Sequence, residues 1–238
     1  MTTALTWLSP ESVNVARLAP GRRVVVGRSA EADISIDNPR ISREHFAITA
    51  AAEPNGTHQV EHLSHTNPTL IGGQVIAGVV GVTDGAVIQI GDVSLTFHDL
   101  HARDTISGPV CHVCGRENTD AERDCWFCGT SLLNAPTTLR ELRLVALRAV
   151  SSAGQWADLY AGKWLALRPD GSLESLRDEP PAGAVAVRVE NGLPALVDSR
   201  PDQGSDAGSD QAQLVTGANV AVDGAYFAFI AREEPAGR

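Results

Sequence analysis

Four cysteines stand in two pairs, Cys111-x2-Cys114 and Cys125-x2-Cys128, with ten residues between the pairs and a glycine, Gly115 or Gly129, directly after each. Two thiolates at this spacing fold into a tight knuckle that glycine relieves, and two knuckles complete a tetrahedral zinc shell at about 2.3 Å. A redox Cys-x-x-Cys normally opens a helix in an α/β setting and does not come twice at ribbon spacing. The pattern predicts a structural zinc ribbon over 110–131 with Cys111, Cys114, Cys125 and Cys128 as ligands. His112, set between two better ligands, is expected to be exposed. A second metal-like string, His58-Gln-Val-Glu61-His62, has the H-x-x-E-H order of a zinc peptidase. That chemistry needs a helix, which would bring both histidines to one face. Here the string follows Asn55-Gly56 and enters a β pattern, so His58 and Glu61 should lie on opposite sheet faces and do no chemistry. With no nucleophile elbow, Gly-Lys phosphate loop or kinase motif present, the chain is expected not to be an enzyme.

The elements that must position these residues read as strands. The chain has 238 residues, the length of one large domain or two modest ones, and at 43% hydrophobic and 20% charged it has enough apolar material to bury a core. Between Glu11 and Leu100 eight short strands are expected: 12–18, 23–27, 34–36, 45–50, 59–63, 69–71, 86–90 and 93–97. Asn55-Gly56, Gly72-Gly73, Asp84-Gly85 and Gly91-Asp92 supply the turns between them, the spacing of a β sandwich. The whole is expected to be all-β: a sandwich over 1–102, a linker at 103–109, the ribbon, a second linker at 132–138, and a mostly β C-terminal domain over 139–238. Within that last domain, Leu139 to Val150 fits a helix or a strand equally, strands are expected at 164–168, 184–190, 193–197 and 226–231, and 200–213 reads as a flexible loop.

Gly27-Arg28 closes the strand Val24-Val25-Val26, Ser42-Arg43-Glu44-His45 follows Ile41, and Thr66-Asn67-Pro68-Thr69 precedes a short strand and a glycine pair. These elements, in this order and spacing, resemble the forkhead-associated (FHA) domain over about the first hundred residues. The resemblance implies a β sandwich whose end loops bind a phosphothreonine peptide. It maps Arg28, Ser42, Arg43 and Thr66 onto phosphate-contacting positions and Asn67 onto the residue that holds the peptide backbone. It also makes His45 a support behind the loops, and Gly27 is taken to permit a tight turn before Arg28. The chemistry agrees, because a phosphate dianion with three strong acceptor oxygens asks for a fixed cation plus hydroxyl donors. The family commonly has glycine after the asparagine, whereas this chain has Pro68, which stiffens the turn.

A net charge of −10 works against nucleic acid and anionic membrane surfaces. No apolar run is long enough for a membrane span and the N-terminus does not look like a signal peptide, so a cytoplasmic chain without membrane insertion is expected. Some small fingers of this spacing with an asparagine at the position of Asn118 bind single-stranded RNA or ubiquitin, but this chain lacks their tryptophan before the first cysteine, and Trp126 and Phe127 are expected to pack on a neighbouring domain. The expected function is a non-catalytic phosphothreonine-binding adaptor in Ser/Thr kinase signalling or complex assembly, with structural zinc and a further protein partner at the C-terminal domain. The competing expectation is an assembly subunit that uses the same fold without phosphate. Thr105, Thr137 and Thr138 are linker positions open to phosphorylation.

Overall fold

A computed structural model describes residues 2–9, 12–53, 56–101, 106–109, 111–114, 116, 118, 122–133, 135, 137–147, 155–160, 164–176, 179–190, 193–199 and 216–231. Every regular element among them is a strand. The first sandwich is built from β1 (Thr3–Ser9), β2 (Ser12–Leu18), β3 (Arg23–Gly27), β4 (Ile34–Ser35), β5 (Phe46–Thr49), β6 (His58–His62), β7 (Thr69–Ile71), β8 (Gln74–Val75), β9 (Val79–Val82), β10 (Val87–Ile90) and β11 (Val93–Asp99). One sheet runs β2-β1-β11-β10-β7-β8 and the other β4-β3-β5-β6-β9. Between them lie Leu5, Val26, Phe46, Ile48, Ile88, Leu95 and Phe97, all fully buried. Each such side chain is worth about 1.5–3 kcal/mol of burial.

Strand β1 lies outside the stretch the sequence marked as strands, although it is central to its sheet, pairing with both β2 and β11. Thr3, Ala4, Leu5 and Thr6 are all buried. A strand covered on both faces loses the alternation of polar and apolar residues by which a half-exposed strand is recognised. The strand assignment of the peptidase-like string holds: His58 points inward, with its Nε2 3.1 Å from the Asp99 carboxylate, while Glu61 meets Arg23 at 2.8 Å on the exposed face. Burial opposes the ionised Asp99, yet hydrogen bonds from His58 and the His101 amide hold its carboxyl below the usual carboxylate range.

The remainder contains β12 (Ile106–Pro109), β13 (Thr137–Leu147), β14 (Gln155–Tyr160), β15 (Trp164–Leu167), β16 (Leu173–Leu176), β17 (Val185–Glu190), β18 (Leu193–Asp198), β19 (Asn219–Val222) and β20 (Ala225–Ala231). Strands β12-β13-β20-β19 form one sheet, with β14 also on β13, and β16-β15-β17-β18 form another. They enclose a second core around Leu165, Val187, Phe227 and Phe229. The ambiguous segment after Leu139 is therefore a strand, since β20 and β14 flank it on both sides. Two segments read as linkers contribute strand residues: Ser107 pairs with Thr138 and Pro109 with Thr137, on either side of the ribbon. Thr137 and Thr138 thus sit in a paired strand, while Thr105 and the expected loop at 200–213 fall outside the described residues.

The two sandwiches are packed together. Ala4, Val13 and Leu100 on the outer face of the first meet Ala228 and Ile230 of β20, and the Val13 amide donates to the Asn219 side-chain oxygen at 3.1 Å. Leu8, Val15 and Tyr226 flank this apolar seam.

Candidate functional site

Three loops meet at one end of the first sandwich: residues 28–33 after β3, 36–45 before β5, and 63–68 between β6 and β7. Backbone hydrogen bonds tie the first two loops together beyond the end of the β3–β5 ladder. The Arg28 amide donates to the Ser42 carbonyl at 2.9 Å and the Ser29 amide to the Arg43 carbonyl at 3.2 Å. Gly27 ends β3 without a positive φ, so its role differs from the expected tight turn. A Cβ at Gly27 would lie 2.0 Å from the Arg43 carbonyl oxygen. Only glycine lets the two loops approach this closely. Asp33 pins the far end of the first loop: its carboxylate accepts from the Val25 amide at 2.8 Å and from Arg22, and the Val25 bond above all lowers its pKa, against desolvation and with help from Arg22.

His45 joins the second loop to the third. It is fully buried, its Nδ1 accepts the Ser42 amide at 3.1 Å and its Nε2–H donates to the Pro68 carbonyl at 3.3 Å. The Asn67 side chain donates to the Arg40 carbonyl at 2.8 Å, a second tie between the same loops. A third is Ser64, which sequence reading missed. Its Oγ lies 2.6 Å from Ser42 Oγ and accepts the amides of Thr66 and Asn67 at 3.2 and 3.0 Å. The signal was present, because a serine two residues before a polar turn residue is a hydroxyl-turn pattern.

The resulting cleft has a volume of about 640 Å³ and is lined by Arg28, Ser42, Arg43 and Thr66, the four expected phosphate-contacting residues, together with Ser64. Arg28 and Arg43 are exposed, and no ion pair among the described residues engages either guanidinium. Asn67 is not part of the lining; its amide is turned to Arg40.

Residues 24–91 match the family model for the FHA domain. The first sandwich carries an FHA domain. Among solved structures, the FHA domain of the CT664 protein from Chlamydia trachomatis is 22% identical, with 42% of this chain and 98% of that chain covered and a TM-score of 0.39. An FHA domain solved in work on phosphothreonine-dependent FHA domain interactions is 20% identical, covering 42% and 97%, with a TM-score of 0.37. EmbR of Mycobacterium tuberculosis, in complex with a low-affinity phosphopeptide, is 23% identical, covering 41% of this chain and 24% of that one, with a TM-score of 0.35. No curated protein matches the chain.

Within the FHA domain, burial lowers the His45 pKa; the Pro68 bond raises it less, and His62 nearby lowers it again. A proton added at Nδ1 would face the Ser42 amide and break the tie between the loops. In the unfolded chain the imidazole takes up its proton near pH 6.5. The stability His45 contributes is therefore complete above that pH and lost as pH falls from there through the lower folded value. We expect the melting temperature to drop between about pH 7 and about pH 5.5 by more in the wild type than in His45→Gln; equal drops would assign the titration to another group.

The four cysteines form the second candidate site. Their sulfurs all lie within 4.8 Å of one another, with Cys111–Cys128 and Cys114–Cys125 each at 3.6 Å. A disulfide requires about 2.0 Å, whereas four thiolates on a tetrahedral zinc stand about 3.8 Å apart. Asn118 staples the knuckles. Its Nδ2 donates to the Pro109 and Arg116 carbonyls at 3.1 and 2.9 Å, and its Oδ1 accepts the Trp126 amide at 3.0 Å. That asparagine is spent on the ribbon's own backbone. Trp126 and Phe127, expected against a neighbouring domain, are instead 59% and 57% exposed, with the Arg116 guanidinium over the Phe127 ring at 3.7 Å. Cation–π stacking steadies these exposed rings from within the ribbon itself. His112 is exposed, as expected.

Proposed function

We propose that this chain is a non-catalytic adaptor whose FHA domain binds a protein phosphorylated on threonine by a Ser/Thr kinase. The observation that carries the reading is the convergence of Arg28, Ser42, Arg43 and Thr66, from three loops, on one cleft where both guanidiniums are free of ion pairs among the described residues. A phosphate dianion is the ligand that uses two planar cation forks and two hydroxyls at once. Asn67, already tied to Arg40 by one amide hydrogen, keeps its oxygen and second hydrogen for the peptide backbone. The four-cysteine cluster holds structural zinc in this reading, and the C-terminal domain serves a further protein partner in the cytoplasm.

Glu31 and Glu44 line the same cleft and have no ion-pair partner among the described residues. With the chain's net charge of −10, they favour a phosphothreonine flanked by Lys or Arg over one flanked by acids. The test is fluorescence anisotropy with a degenerate phosphothreonine peptide library beside its unphosphorylated twin. Binding of the phosphorylated library alone is expected, with basic residues enriched in the bound fraction. Equal binding of the two libraries would reject phosphate recognition, and enrichment of acidic residues would reject the charge preference by itself.

A further inference from the structure

We infer that Ser64 is a positioning residue of this cleft, one that donates its hydroxyl proton to Ser42 and so aims the Ser42 hydroxyl at the ligand. The inference rests on the phosphothreonine reading above and adds a residue and a direction to it. A serine hydroxyl has one hydrogen and two lone pairs. Both lone pairs of Ser64 are occupied, by the Thr66 amide at 3.2 Å and the Asn67 amide at 3.0 Å. Its hydrogen must then fill the 2.6 Å contact to Ser42 Oγ, since the opposite direction would demand a third lone pair. Ser42 accepts that bond and keeps its own hydrogen. Its hydroxyl has no other partner among the described residues, and Ser42 lines the same cleft as Arg28 and Arg43.

The result is a one-way chain from two backbone amides through Ser64 and Ser42 into the cleft. Each bond in such a chain polarises the next. The cleft is thereby offered a hydrogen-bond donor, which suits an anionic oxygen because that oxygen only accepts. Ser64 is 7% exposed, so water competes poorly for its proton. One hydroxyl also anchors Thr66 and Asn67, coupling the loop that carries them to the loop that carries Ser42 and Arg43.

The test is a double-mutant cycle of Ser42→Ala and Ser64→Ala, read by anisotropy with a fluorescein-labelled degenerate phosphothreonine library, with melting temperatures as the folding control. Ser64→Ala is expected to weaken binding about tenfold in the wild-type background and less than about threefold where Ser42 is already alanine. An equal loss in both backgrounds would make Ser64 a mere shaper of its own loop and overturn the inference, as would no loss in either. Should Ser64→Ala lower the melting temperature sharply, Ser64→Cys keeps nearly the same volume but replaces the hydroxyl with a weak donor, and the same dependence on Ser42 is expected. Failure of the wild type itself to bind the phosphorylated library would remove the reading and this inference together, and that arm is distinct from every mutant arm.

Discussion

Arg28→Ala is expected to weaken phosphothreonine peptide binding by at least about 2 kcal/mol, roughly thirtyfold, because it removes a charge-assisted fork and leaves the phosphate short of a partner. The structure explains why the loss should fall on binding and spare the fold. The guanidinium is exposed and engages no ion pair among the described residues, whereas the backbone of Arg28 is held by the Ser42 carbonyl at 2.9 Å, a bond alanine keeps. An unchanged melting temperature with lost affinity is the expected pair of results, measured by thermal denaturation and anisotropy. Arg28→Lys should recover only part of the affinity, since an ammonium cannot present two parallel N–H groups to the phosphate. Unchanged affinity in Arg28→Ala would shift the weight to a subunit that assembles through the same fold without phosphate. Such a subunit would keep its partner after phosphatase treatment.

The largest structural effect is expected from withholding the zinc that the proposed function places on the four cysteines. The ribbon has only Cys111, Cys125 and Leu132 as a buried core among the described residues, with Cys114 and Ala135 against it. So small a core cannot offset the entropy of ordering its loops, whereas structural zinc supplies about 10–16 kcal/mol at neutral pH. We therefore expect the purified chain to carry one zinc by elemental analysis and Cys125→Ser to carry none. Chelation should abolish amide-exchange protection in 111–133 while leaving the FHA core protected, because that core of Phe46, Phe97, Ile48 and their neighbours is separate. The paired strands β12 and β13 lie on either side of the ribbon, so fraying should spread to the 106–109 pairing first. Retained protection in the metal-free chain would show that the Asn118 bonds alone hold the knuckles.

Much of the candidate site is legible in the residues alone. The Cys-x2-Cys pairs name a metal donor set by residue type and spacing, whereas the Gly-Arg, Ser-Arg-Glu-His and Thr-Asn elements point to a phosphate site only together, through their resemblance to the FHA domain. The His58 string was also decided locally, by the turn before it and the period of the strand it enters. Less legible were contacts between elements distant in the chain. Ser64 reads at most as a hydroxyl-turn serine until the fold sets its hydroxyl 2.6 Å from Ser42, 22 positions away. Gly27 looks like a turn glycine, and only the approach of the Arg43 carbonyl shows that the missing Cβ matters, not the backbone angle.

What the amino-acid sequence determined alone was the β character of the chain and the donor set for a metal, since these depend on composition, period and short spacing, while the candidate anion-site residues came from the order of elements that resembles the FHA domain. The tertiary structure decided which faces are covered. Strand β1 is buried on both sides because the C-terminal sheet lies on Ala4 and Val13, and Trp126 and Phe127 stay exposed because no element among the described residues covers them. Burial is a property of pairs of surfaces, and a single stretch of sequence carries only one of the two.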